Sequence, residues 1–287
     1  MNLTRYNSPE TFLGVMRLPF EQDEVANGLM YGISLRCISH PELYPSPYFA
    51  VVADGSGPVA AAMMTPPYNV VVWVRPNTEF DEALRLIARD VAAFSILPPG
   101  VLALRDVAAV FIDIWQKMRP VTAQIALRER IYELRKVTPP APCPGKFRMA
   151  AEAETALIED WYWEFTKEAG VIGDEPSTRR NAHLRVASGD VFVWEDAGQL
   201  VSLAARGRST PHGATIGPVY TPPQFRGKGY ASNCVARLSQ LILDSGKNFA
   251  TLFTDLANPT SNSIYMKLGY LPRCDVDEWK FDADDRP

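Results

Sequence analysis

Apolar residues gather into short runs around tight turns at two places half a chain apart. Tyr48-Phe-Ala-Val-Val-Ala-Asp54 is followed by Gly55-Ser-Gly57 and then Pro58-Val-Ala-Ala-Ala-Met-Met64. Val191-Phe-Val-Trp-Glu-Asp196 is followed by Ala197-Gly-Gln199 and then Leu200-Val-Ser-Leu-Ala-Ala205. Paired apolar runs joined by an Asp-led, Gly-containing turn predict a β-hairpin in each case. Matching Asp54 to Asp196 gives an offset of 142 residues. A helix-like stretch of similar length precedes each hairpin, so a duplicated fold is the simplest reading.

Thr138-Pro-Pro-Ala-Pro-Cys-Pro-Gly145 carries four prolines in eight residues and continues neither a helix nor a central strand. The join is expected there, giving domains 1–140 and 141–287. Before it, Gln124 to Val137 fits a strand or a short helix equally well. After it, Ala156, Leu157, Trp161 and Phe165 step by three and four, predicting a helix over 153–167. The hairpin of the second half leads to a β-branched run, His212 to Tyr220. A helix from Tyr230 to Asp244 follows, with Cys234, Val235, Leu238, Leu241 and Ile242 on one face and Ser245-Gly246 as its stop. Phe249 to Phe253 reads as a buried strand, Thr260 to Leu268 as a short helix and Gly269 to Phe281 as a last strand. The acidic end from Asp282 is expected to fray.

Composition narrows the partners. The 287 residues are 47% apolar and 22% charged, which excludes a disordered or fibrous chain. Residues 1–140 hold 13 Lys/Arg against 14 Asp/Glu, and residues 141–287 hold 16 against 19. Neither half is basic, so nucleic acid is not an expected partner. Cys37, Cys143, Cys234 and Cys274 are scattered, and His40, His183 and His212 show no ligand spacing, so neither a metal site nor a disulfide framework is expected. The start lacks a signal-peptide core and no run approaches about 18 apolar residues. A cytoplasmic chain without a membrane partner is the expectation.

The chemistry is concentrated in Thr221-Pro-Pro-Gln-Phe-Arg226-Gly227-Lys228-Gly229-Tyr230-Ala231, between a strand and a helix. Glycines let the backbone turn its N–H groups toward a ligand, and the helix start adds unpaired N–H groups and partial positive charge. A phosphate or pyrophosphate is the ligand such a corner accepts. The loop is not a P-loop, because Gly229 follows Lys228 where a hydroxyl is required and no glycine stands five residues before Gly227. Gly227-x-Gly229-x-x-Ser232 partly matches a dinucleotide fingerprint, with Asp255 beyond the next strand, but a hairpin is foreign to a βαβ unit. Taken alone, the loop also reads as an exposed, solvated turn.

A second segment, Asn258-Pro-Thr-Ser-Asn-Ser-Ile-Tyr265-Met-Lys-Leu-Gly269-Tyr270, changes that balance. Together the two resemble the GNAT superfamily of acyl-CoA-dependent N-acyltransferases. Arg226, Gly229 and Ala231 fill that family's [RQ]xxGx[GA] loop. Asn258, Tyr265, Gly269 and Tyr270 fill its second signature. The resemblance is strong over about residues 185–281 and only suggestive elsewhere. It implies an α+β fold of two GNAT-like domains, each a mixed, mostly antiparallel sheet flanked by helices.

It also implies acetyl-CoA as cosubstrate and a small-molecule or peptide amine as acceptor, with a homodimer admitted. The acidic balance of the second half leans toward a cationic acceptor. By resemblance, the backbone of Val219, Tyr220 and Thr221 holds the pantetheine arm beside a bulge at Pro218. Gly227, Lys228, Gly229, Tyr230, Ala231 and Ser232 give N–H groups to the pyrophosphate, with Arg226 adding charge. Asn258 contacts the pantetheine, and Tyr265 is the catalytic acid for the leaving thiolate. A backbone N–H near Val219 or Tyr220 stabilises the developing oxyanion.

Plainer roles stand beside these. Asn258 before Pro259 is an N-cap, Tyr265 a core aromatic with its hydroxyl at the rim, Lys228 a surface charge and Cys234 packing. The general base is open among Glu195, Asp196, His212, Asp255 and ordered water. The first half has no glycine loop in Arg75-Pro-Asn-Thr-Glu79 and no Asn-x6-Tyr, so a degenerate domain without cofactor binding is expected there. An acyl-CoA-binding regulator without catalysis is the alternative function.

Overall fold

The computed structural model describes residues 1–171 and 173–282. The acidic end beyond Asp282 lies outside the described residues. Two runs of elements follow each other in the same order. The first is β1 (Asn2–Arg5), α1 (Pro9–Gln22), α2 (Glu24–Ser39), β2 (Tyr48–Asp54), β3 (Gly57–Met64), β4 (Val70–Val74), α3 (Asp81–Ala92), β5 (Gly100–Leu104), α4 (Arg105–Met118) and β6 (Ala123–Leu134). The second is β7 (Lys146–Met149), α5 (Thr155–Ala169), α6 (Glu175–Ala187), β8 (Val191–Asp196), β9 (Gln199–Ser209), β10 (Gly213–Tyr220), α7 (Tyr230–Asp244), β11 (Phe249–Asp255), α8 (Pro259–Lys267) and β12 (Leu271–Phe281). The duplication extends to detail. The first hairpin slips register between Val52 and Ala53, and the second between Trp194 and Glu195, the same offset of 142.

Compact packing divides the chain elsewhere than at the proline segment. One unit comprises Met1–Arg130 with Cys274–Pro287, the other Ile131–Arg273. Strands of the first unit are ordered β1-β2-β3-β4-β5-β12 and those of the second β7-β8-β9-β10-β11-β6. Each repeat's final strand therefore completes the sheet of the other repeat. The sixth strand of the first unit comes from the end of the chain, pairing antiparallel with β5 from Val276↔Leu104 to Lys280↔Gly100. The proline segment belongs to the second unit, tied at Thr138 N–H to the Leu268 carbonyl (2.9 Å) and at the Pro144 carbonyl to Trp194 Nε1 (2.7 Å). Gln124–Val137, ambiguous in periodicity, is largely strand.

Alternation along the strands fills two layers in each unit. In the first, Val52, Val72, Leu84, Phe111, Trp115 and Phe281 pack on the α3–α4 face, and Phe12, Phe20, Phe49, Met63 and Trp73 on the α1–α2 face. In the second, Cys234, Val235, Leu238, Leu252 and Tyr270 form the α7 layer, and Ile158, Trp161, Leu203 and Tyr220 the α5–α6 layer. Burial of these side chains is the main favourable term for each sheet. Helix α6 has no apolar stripe to announce it. Its Asp174 cap, accepting from Ser177 N–H at 2.8 Å, and a first-turn proline begin it instead. No described helix is long and apolar enough to cross a membrane.

Gly100 lies where β5 meets β12 most closely. A Cβ there would stand 1.9 Å from the Trp279 carbonyl oxygen and 2.8 Å from Asn69 Oδ1. Gly100→Ala is expected to destabilise by about 1–3 kcal/mol through overpacking. Gly14→Ala, in α1 with open space around it, is expected to stabilise by up to about 1 kcal/mol. Urea midpoints of the two variants should move in opposite directions.

Candidate functional site

Strand β10 is irregular on both edges. Against β9 its register shifts between Ala214 and Ile216 and again between Ile216 and Val219, so Gly217 and Pro218 fall inside a bulge. Against β11 it pairs in parallel only at Gly213↔Phe249, Ala214↔Ala250 and Thr215↔Thr251. Beyond the Thr215–Thr251 pair, whose hydroxyls are 3.1 Å apart, no described strand pairs with this edge of β10. Val219 and Tyr220 remain in register with Ala204 and Leu203 on the β9 side. The β11-side edge of residues 216–220 is therefore without a strand partner among the described residues, and another extended chain could pair there.

The strand ends at a loop made by glycine. Gly227 has φ +76° and Gly229 φ +82°, both in the left-handed region that glycine adopts without strain. Gly229 is the N-cap of α7, and no side chain caps the helix. The first backbone bond into the helix runs from Asn233 N–H to the Gly229 carbonyl, at 3.0 Å. The N–H groups of Tyr230, Ala231 and Ser232 precede it and have no intrahelical partner. With no acidic residue in the first turn, this end presents donors and positive dipole to an anion.

Arg226 points elsewhere. Its Nη2 meets Glu168 at 2.6 Å, its Nε donates to the Thr221 carbonyl at 2.8 Å, and the guanidinium lies over the Tyr220 ring at 5.9 Å. It braces the loop against α5 as much as it charges it. Lys228 is exposed with its Nζ 5.9 Å from the Phe225 ring centroid. The Tyr230 side chain turns into the core and its hydroxyl bonds the Asp196 carboxylate, so only its backbone belongs to the loop surface. Thr221 Oγ1 lies 2.8 Å from the hydroxyl of buried Ser202, which also reaches the Tyr220 carbonyl at 3.3 Å.

The second signature lies on α8. Asn258 Oδ1 accepts from Ser261 N–H at 3.0 Å, so the capping role is realised. Asn262 Nδ2 holds the Asp255 and Asn258 carbonyls at 2.8 and 2.7 Å, and its Oδ1 accepts from the Tyr132 hydroxyl at 2.9 Å. Tyr265 is 9% exposed and meets Tyr270 edge-on at 5.9 Å. Its hydroxyl has no hydrogen-bond partner among the described residues and is not sealed from solvent. Burial pushes its pKa up to about 12, so the phenol stays protonated at neutral pH. Cys234 is fully buried and burial pushes its thiol well up, which leaves it packing rather than nucleophilic.

None of the four side chains suggested as a base stands free beside the bulge. Glu195 is bound by Arg148 at 2.6 Å and Lys146 at 3.2 Å, which holds its carboxyl below the usual range. Asp196 accepts from Tyr230, and Asp255 Oδ1 from Ala257 N–H at 2.8 Å. His212 precedes the first residue of β10, about 23 Å of extended strand from Val219. Two residues that sequence motifs did not single out also reach β10: Glu168 through Tyr220 and Arg226, and Arg185, whose Nη1 donates to the Gly217 carbonyl at 2.8 Å. Neither belongs to a motif; only packing brings them together.

The equivalent corner of the first unit lacks the bulge and the glycine loop, although β4 likewise pairs in parallel with β5 only at Val70↔Val101 and Val71↔Leu102. β3 and β4 pair without a shift from Ala60↔Val74 to Met63↔Val71. The loop to α3 contains no glycine, and Arg75 fastens it to Asp54 at 2.6 Å. Asp81 and Glu82 occupy the first turn of α3, where their charge opposes a phosphate.

Residues 196–280 match the family model described as FR47-like protein. Solved structures similar to the chain include a tandem GNAT protein from the clavulanic acid biosynthesis pathway, 14% identical over 98% of each chain, with a TM-score of 0.59. A GCN5-related N-acetyltransferase from Sphaerobacter thermophilus is 16% identical over 99% of this chain and 96% of that one, with a TM-score of 0.61. A Drosophila protein is 14% identical over 99% of each, with a TM-score of 0.70. No curated protein matches the sequence. The fold is shared with these solved GNAT structures, one of them a tandem protein.

The Asn258 cap yields a test. Asn258→Ala should cost about 1 kcal/mol of stability, and Asn258→Ser should retain most of it. Thermal melts would then show a fall for alanine alone.

Proposed function

We propose that the second unit transfers an acetyl group from acetyl-CoA to a primary amine. The observation that carries this is the open edge of β10 running into the glycine loop and uncapped start of α7. An extended pantetheine arm suits the first and a pyrophosphate the second. Val219, Tyr220 and Thr221 would hold the arm through their backbone. The N–H groups of Gly227 to Ser232 would hold the pyrophosphate, with Lys228 adding charge. When bound, acetyl-CoA supplies an activated thioester carbonyl and a thiolate leaving group.

Transfer forms one C–N bond and breaks one C–S bond, while one proton leaves the amine and one reaches sulfur. A backbone N–H at Val219 or Tyr220 faces the negative charge that grows on the carbonyl oxygen. Tyr265 keeps its proton at neutral pH and offers it to sulfur. The burial that weakens it as an acid also makes a desolvated thiolate a stronger acceptor. The acidic first turn of α3 and the regular β3–β4 ladder support one binding site per chain.

Calorimetric titration with acetyl-CoA, with NAD as control, is expected to give saturation at one site per chain. Gly229→Val should remove it, because φ +82° strains a branched residue and would force the loop out of the shape that presents its N–H groups. Two sites would contradict the proposal of a single site in the second unit. NAD binding instead would overturn the reading, and acetyl-CoA binding without thiol release to any amine would mark an acyl-CoA-binding regulator. Tyr265→Phe should lower kcat by about 100-fold or more and leave acetyl-CoA affinity within about threefold. Equal loss of both would make Tyr265 structural.

A further inference from the structure

Arg185 carries a charge that its surroundings do not answer. It sits in the last turn of α6 and is only 8% exposed. Its Nη1 is committed to the Gly217 carbonyl inside the β10 bulge. The carboxylates of the neighbouring elements are taken by other cations. Asp190 pairs with Arg206 at 2.7 Å, Asp160 with Arg179 at 2.7 Å, and Glu168 with Arg226 at 2.6 Å. No carboxylate among the described residues lies within ion-pair distance of Arg185. Burying a cation without a partner is unfavourable, and one hydrogen bond to a carbonyl offsets little of that cost.

The rest of the guanidinium is not sealed. Nε and Nη2 have no protein acceptor, yet neither is among the enclosed polar atoms, so both touch solvent. A buried stem with an open, planar N–H edge is a receptor for a carboxylate, which guanidinium binds through two parallel hydrogen bonds. Gly217 stands two residues before Val219, about 7 Å along an extended strand. That is a small molecule's reach from the open edge where the thioester would lie.

We propose that Arg185 receives a carboxylate on the acceptor, so that the substrate is a primary amine that also bears a carboxylate. This rests on the acetyl-transfer reading above. Holding the carboxylate at Arg185 would leave the amine directed along β10 toward Val219. A simple polyamine would instead bring a second cation beside an uncompensated one.

The test pairs each acceptor with its neutral twin. Free thiol release from acetyl-CoA would be followed with the common amino acids, β-alanine and 4-aminobutyrate, with the carboxamide of each, and with putrescine and spermidine. At least one carboxylate should exceed its carboxamide by about 30-fold or more in kcat/KM, mainly through KM. Arg185→Gln should abolish that ratio and Arg185→Lys keep part of it. Arg185→Lys alone decides the question should Arg185→Gln not fold.

Equal use of carboxamides, preference for the polyamines, or no turnover of any carboxylate would overturn the proposal. So would a fall of both acceptors by the same factor in the variants, which would leave Arg185 only bracing the bulge. Failure of acetyl-CoA to bind in calorimetry is a separate result, and it removes the acetyl-transfer reading itself.

Discussion

Backbone N–H and C=O groups on β10 lose their β11 partners beyond the Thr215–Thr251 pair. A strand edge left open costs free energy unless water or a ligand takes up its hydrogen bonds. The second unit is arranged to keep that edge open. Two register shifts against β9 stop the ladder from running on, Arg185 holds the Gly217 carbonyl, and Ser202 clasps the strand's end at Tyr220 and Thr221. The same strand then delivers the chain into two left-handed glycines and a helix start without a cap. The open edge of β10 and the free donors at the start of α7 thus lie along one stretch of chain.

The first unit has the same ten elements and shows what is lost when these details go. Its β4 pairs evenly with β3, and its α3 begins with two carboxylates. Neither change alters the sheet order or the layers, because those depend on apolar alternation along the strands. Topology and binding are set by different residues. The sheet order of a repeat therefore does not require its glycine loop.

Much of this was legible in the chain itself. The hairpins, α7, β11, α8 and the glycine loop are local features, set by alternation, helical period and turn chemistry within a few residues. The proline segment lies between the two runs of elements, after β6 and before β7, because prolines mark where regular structure stops, whereas compact units follow long-range pairing. The crossing of β12 to β5 joins residues more than 170 positions apart, from Val276 to Leu104, and no local signal records it. Helix α6 was hidden for a related reason: its polar positions serve ion pairs such as Arg179 with Asp160 and Glu175 rather than a stripe. Glu168, Arg185 and Asn262 have no motif, since their roles exist only once α5, α6 and α8 pack against the sheet.

Net charge illustrates the same division at the level of the acceptor. The second half of the sequence is acidic, which by itself leans toward a cationic substrate. Exposed charges act through water and salt, however, and fade beyond about 8 Å at physiological ionic strength. They influence the encounter of a ligand with the surface. A guanidinium that is 8% exposed and lacks a carboxylate partner acts at contact distance, where screening is weak. On the proposed reading, selection at the bulge follows the local charge. An acceptor carrying both an amine and a carboxylate answers both scales, because its net charge near zero is not repelled by the acidic surface while its carboxylate meets Arg185.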